Sequence, residues 1–166
     1  MNQMAAEIQA MMLSRGLTLS TAESCTSGRI AAAITTVSGA SGYFQGGLVA
    51  YQDHIKVQQL GVSAEDIEQH DVVSREVVEQ MVKGACRLFN TDCAMASTGY
   101  AGDGNERIPT GTIWIGWGTA DDVHSQCLRL DESREENTRM TVDCVLRFFR
   151  DYLAKSGNSQ DNVLQM

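Results

Sequence analysis

Apolar runs of strand length alternate with helical stretches through most of this chain, and that alternation restricts its fold more than any other feature. Residues 3–15 place Met4, Ile8, Met11 and Met12 at helical spacing, with Gly16 as a stop. LTLST (17–21) reads as a strand, GRIAAAITTV (28–37) as a small-residue helix, SGASG as a loop, and FQGGLVAY (44–51) as a second strand. DHIKVQQL (53–60) reads as a short helix ended by Gly61, and Ser63 as the cap of AEDIEQ. Ser74 caps an amphipathic helix with Val77, Val78, Met81, Val82, Ala85, Leu88 and Phe89 on one side.

DCAMAST (92–98) is a buried-looking strand, followed by a glycine-rich loop from Gly99 to Gly111. TIWIGWGT and VHSQCLRL flank TADD as a β-hairpin. Ser133 and Glu136 form an S-x-x-E capping box opening a helix to about Leu153. The pattern predicts a three-layer α/β/α domain with a sheet made mixed by the late hairpin. One domain is expected over residues 1–154, with a polar, disordered tail over 155–166.

The 21 acidic against 13 basic side chains give a formal charge of −8, which argues against a large nucleic-acid footprint but leaves room for a small phosphorylated ligand. No stretch approaches the roughly 18 apolar residues of a membrane span, so no membrane partner is expected. Five scattered cysteines without a CxxC pair read as reduced thiols in a cytoplasm, and no metal site or cofactor is expected.

TAESCTSGRI (21–30) sets a serine beside a cysteine where a strand gives way to a helix. The N–H groups of Cys25, Thr26 and Ser27 would there face whatever sits at the helix start. That geometry suits a helix cap and equally an oxyanion hole beside a nucleophile, and capping is the commoner use. A serine nucleophile needs a base, and nothing around His54, His70 or His124 marks them for it. Lys56, among Ile55, Val57 and Leu60, could serve if burial lowered its pKa, with the Tyr51 hydroxyl as relay or orienting group; the alternative is a solvated helix lysine. GYAGDGNERIPTG has the composition of a ligand-gripping loop, though such loops are more often plain connections. Arg134 could offer a fork to a phosphate or carboxylate.

AESCTSG, GASGYFQGGLVAY, the lysine at 56 with LGV behind it, VVS, STGYAG, GT and the SRE helix occur in that order. Together they resemble the CinA C-terminal domain family, the nicotinamide-nucleotide amidohydrolases, in its stand-alone form and over about residues 4–153. The resemblance implies metal-independent deamidation of nicotinamide mononucleotide to nicotinate mononucleotide and ammonia. It implies Ser24 as nucleophile with Tyr51 and Lys56 as its catalytic partners, and Cys25 and Thr26 beside the oxyanion. Thr98, Gly99 and Gly102 would line the substrate pocket, with Arg134 near it. It also implies a homo-oligomer, a dimer or higher.

The chain departs from the family at Ser27, where a glycine is usual, and at Asp71-Val72, where Gly-Ala is usual. Its pocket loop is shorter, with Ile108 in place of a lysine that Arg107 would replace. A catalytically weak, nucleotide-binding relative is the alternative reading.

Overall fold

The computed structural model describes residues 1–161, with side chains to residue 157. In chain order the elements are α1 (Asn2–Arg15), β1 (Leu19–Glu23), α2 (Arg29–Thr35), β2 (Phe44–Val49), α3 (Asp53–Leu60), α4 (Ala64–His70) and α5 (Arg75–Phe89). They continue with β3 (Cys93–Gly99), β4 (Thr112–Thr119), β5 (Val123–Arg129) and α6 (Arg134–Asp161). SGASG, expected as a loop, contains a single 3-10 turn at Ala40–Gly42.

The five strands form one mixed sheet in the order β2-β1-β3-β4-β5. β1 runs parallel to β2 and β3, while β3–β4 and β4–β5 are antiparallel. The expected three-layer α/β/α architecture is present, and side-chain size decides which helix lies where. One face carries Leu19, Met95, Ile113, Ile115 and Trp117, packed against Ile8, Met12, Ile30, Ile34, Leu146 and Phe149 from α1, α2 and α6. The other face is built of Ala22, Ala94 and Ala96, on which α5 sets Val77, Val78, Met81 and Val82. Gly116 shows how close that approach is, because a Cβ there would lie 2.9 Å from Cγ2 of Val82. Each fully buried Val or Met on α5 contributes about 1.5–3 kcal/mol of hydrophobic stabilisation.

The helix caps follow the sequence in part. Ser63, Ser74 and Ser133 accept from the N–H groups of Asp66, Val77 and Glu136. The Glu136 carboxylate pairs with Arg139 instead of completing the capping box. Leu88, expected on the buried side of α5, is 43% exposed, because the last turn buries Ala85 and Cys86 instead. α6 continues past Leu153 to Asp161, so residues 155–161 of the expected disordered tail are helical, and 162–166 lie outside the described residues. Arg15 donates to the Leu153 carbonyl at 2.7 Å, and its guanidinium passes where a side chain on Gly157 would stand. Among the described residues no helix is long and apolar enough to cross a membrane.

Candidate active site

β1, β2 and β3 are parallel, so their carboxyl ends share one edge of the sheet. Ser24 follows β1, Tyr51 follows β2 and Tyr100 follows β3. The antiparallel partners bring the start of β4 and the end of β5 to the same edge, since Gly99 opposes Ile113 and Arg129 opposes Thr112. α6 then opens there with Arg134. The carboxyl edge of such a sheet is where α/β proteins place ligands. A cavity of about 250 Å³ lies there, lined by Ser24, Cys25, Tyr51, Lys56, Thr98, Gly99 and Arg134 among others.

Ser24 does not cap α2. Residues 25–28 form a separate turn, and α2 begins only at Arg29. The capping group is the buried carboxylate of Glu23, which accepts from the N–H groups of Ile30 at 2.8 Å and Ala31 at 3.0 Å. Thr26 and Thr21 donate to the same carboxylate. The Ser24 hydroxyl makes no hydrogen bond among the described residues, and its N–H is tied to the Ser97 carbonyl at 3.0 Å. Glu23 was missed because its partners lie seven and eight residues ahead, beyond ordinary capping spacing.

The turn explains the usual glycine at position 27. Ser27 has φ 49° and Gly28 φ 89°, so two successive residues are left-handed. The Ser27 N–H bonds to the Ser24 carbonyl at 3.1 Å, which removes it from the expected set of free N–H groups. Those of Cys25 and Thr26 make no main-chain hydrogen bond among the described residues. Thr26 itself is fully buried, with its hydroxyl between Glu23 and Ser97, and lies behind the cavity wall instead of on it.

Lys56 is 1% exposed, against the solvated alternative. It stands on the inner side of α3, where Nζ donates to the Tyr51 carbonyl at 3.1 Å and forms a loose ion pair with Asp53, whose Oδ1 lies 3.8 Å away. Burial lowers its pKa below the ordinary lysine value, and Asp53 opposes that shift. The neighbouring Cys25 thiol is pushed up to about 11 by burial, which keeps it protonated beside Ser24.

Tyr51 meets Lys56 through its carbonyl; its half-exposed hydroxyl accepts from Arg134 Nη2 at 2.9 Å, so the expected contact between phenol and lysine is replaced. Thr98 donates to the Val72 carbonyl at 3.0 Å. Gly102 is not on the cavity wall, but a side chain there would meet Arg134, whose stem crosses it. Arg107 does not compensate for the lysine replaced by Ile108. Its guanidinium donates to the Glu68 and Gln69 carbonyls at the end of α4, where helix carbonyls lack intrahelical partners. Asp53, Val73, Tyr100 and Asp103 also line the cavity and were not singled out in the sequence, and Val72, noted there as a departure from the family, lines it too.

A family model described as the CinA C-terminal domain matches residues 1–153. The chain is 42% identical over 144 residues to a CinA-like protein of Shewanella pealeana, covering 86% of this chain and 34% of that one. It is 40% identical over 151 residues to a CinA-like protein of Shewanella piezotolerans, covering 87% and 36%. The chain thus spans about a third of the length of these curated relatives. Among solved structures, competence damage-inducible protein A from Klebsiella pneumoniae superposes with a TM-score of 0.89 at 32% identity, covering 92% of this chain and 96% of that one. The competence/damage inducible protein CihA from Agrobacterium tumefaciens gives 0.84 at 33% identity, covering 89% and 92%. Sequence, fold and the order of motifs along the sheet edge agree: the chain belongs to the CinA C-terminal domain family.

Proposed function

We propose that this protein is an amidohydrolase that converts nicotinamide mononucleotide to nicotinate mononucleotide and ammonia, with Ser24 as nucleophile and Lys56 as general base. The observation that carries this reading is a fully buried lysine sharing a cavity with an uncommitted serine hydroxyl. A neutral amine has two protons and a lone pair. The Tyr51 carbonyl accepts one of the protons, which leaves the lone pair for the serine. Lys56 takes the Ser24 proton as Oγ attacks the carboxamide carbon. The C–N bond then breaks, Lys56 returns the proton to the leaving nitrogen, and ammonia departs from a Ser24 acyl ester. Water attacks the ester with Lys56 again as base, and the carboxylate leaves.

The N–H group of Cys25, which lines the cavity, serves the oxyanion, a contribution of about 3–4 kcal/mol to the transition state. Tyr51 acts mainly through its carbonyl, and Arg134 takes the substrate's anionic group at the cavity mouth. The reading needs no metal or cofactor, and includes a cytoplasmic homo-oligomer. Purified protein incubated with nicotinamide mononucleotide should release ammonia and nicotinate mononucleotide in equal amounts. Folded protein giving neither product from a panel of nicotinamide nucleotides and nucleosides would refute it.

The outward turn of Arg107 favours a second reading, a binder that retains the ligand without hydrolysing it. Ligand-induced thermal stabilisation without ammonia release would select it.

A further inference from the structure

One buried carboxylate joins the two walls of the cavity that the catalytic pair does not occupy. Asp71 is 6% exposed and has φ 73° and ψ 156°, a conformation that belongs almost entirely to glycine. A non-glycine residue stays there only when its surroundings hold it. Asp71 Oδ1 accepts from the Tyr100 hydroxyl at 3.2 Å and from the Val73 N–H at 3.0 Å. Its Oδ2 accepts from Asn105 Nδ2 at 3.0 Å. Asn105 Nδ2 also donates to the Tyr100 hydroxyl at 3.0 Å, closing a triangle of side chains. Asn105 Oδ1 in turn accepts from the N–H groups of Arg107 and Ile108, so the tip of the loop hangs on the same lock. Thr98 adds a second tie through the Val72 carbonyl.

The lock fixes Val72, Val73 and Tyr100, which are among the apolar and aromatic residues lining the cavity. We propose that Tyr100, held by Asp71 and Asn105, is the specificity-determining wall of this cavity and takes the planar ring of an aromatic carboxamide. The proposal rests on the amidohydrolase reading above for the position of the amide, beside Ser24. An aliphatic amide offers no flat face to such a wall. A phenol that donates to a carboxylate is electron-rich, which suits stacking with an electron-poor ring such as a pyridinium. Burial and Asp71 both push the Tyr100 phenol up, so it remains the donor that the lock requires.

The test uses Ser24→Ala protein, in which turnover is blocked, and nicotinamide mononucleotide as the titrant in calorimetry. Adding Tyr100→Leu should weaken binding about two- to tenfold. Adding Asp71→Gly eases the backbone but cuts the lock, so amide hydrogen exchange over residues 100–111 should quicken while the melting temperature holds. Tyr100→Phe keeps the ring and loses the hydroxyl, and should quicken the same exchange with a smaller loss of affinity than Tyr100→Leu. Unchanged affinity in Tyr100→Leu, unchanged exchange in Asp71→Gly, or no binding to the parent Ser24→Ala protein overturns the proposal. Binding as expected, with no ammonia released by the wild-type protein, would sink the amidohydrolase reading and leave the wall standing.

Discussion

The Lys56 amine donates to the main-chain carbonyl of Tyr51 at 3.1 Å, across the first turn of the helix that carries it. This contact orients a buried amine without giving it a full counter-charge, because the nearest carboxylate, Asp53, stays 3.8 Å away and largely in solvent. The pair is therefore suited to hold a lysine that loses its proton easily.

Lys56→Met tests that reading from two sides. Loss of a general base should lower activity by about 10²–10⁴-fold. The fold should keep its stability near neutral pH or gain some, because a desolvated amine gives way to an apolar chain of similar length. The sign follows from linkage. The folded-state pKa lies below the unfolded one, so between the two the unfolded chain binds more protons and wild-type stability rises with pH. The penalty is complete below the folded pKa and absent above the ordinary value of 10.5. Urea melts from pH 7 to 10 should show wild type gaining on Lys56→Met.

Asp53→Asn should move the activity profile toward acid. Asp53 raises the Lys56 pKa against the effect of burial, so its removal lowers that pKa further. The rising limb of kcat/KM against pH should shift to lower pH, with the same plateau. A shift toward alkali would contradict the assignment of Lys56 as base.

Ser24→Ala should abolish turnover, by about 10⁴-fold or more if Ser24 is the nucleophile. Its stability should change by less than about 0.5 kcal/mol, because the hydroxyl caps nothing. A large drop in the urea midpoint would return Ser24 to a structural role.

Glu23→Ala should do the reverse and destabilise the fold by about 2–4 kcal/mol, since it strands the N–H groups of Ile30 and Ala31 and the buried Thr21 hydroxyl, while Thr26 keeps Ser97. Equilibrium denaturation reads this directly.

Ser27→Gly should stabilise the protein by about 0.5–1 kcal/mol, because glycine takes a left-handed φ without the Cβ penalty. The compensating loss is small, a 3.4 Å contact from the Ser27 hydroxyl to the Ser24 carbonyl. An unchanged melting midpoint would mean that this contact balances the strain.

The layers of the fold were legible because helix and strand periods are local: α1, α5 and the β4–β5 hairpin all lie where the pattern puts them. The end of α6 was not, because Arg15, far away in sequence, lies along its last turns. Ser24, Tyr51 and Lys56 stood out through resemblance more than through any pattern of their own, and their convergence depends on the parallel register of β1 and β2. Thr26 and Arg107 went elsewhere because Glu23 and the α4 carbonyls offer them better-placed partners. Asp71 and Tyr100 stand 29 residues apart, and although the family's usual glycine at position 71 fits the positive φ, nothing in the letters announces the hydrogen bond between them.

The Glu23 clamp has an evolutionary corollary. It anchors the Ser24 turn from beneath the sheet, through Thr21, Thr26, Ile30 and Ala31, and touches nothing in the loop after β3. Ser24 and the loop between Tyr100 and Gly111 are therefore held by separate sets of contacts. If the proposed amidohydrolase reading holds, insertions, deletions and side-chain swaps between Tyr100 and Gly111 would change the amide accepted while Ser24 keeps its place.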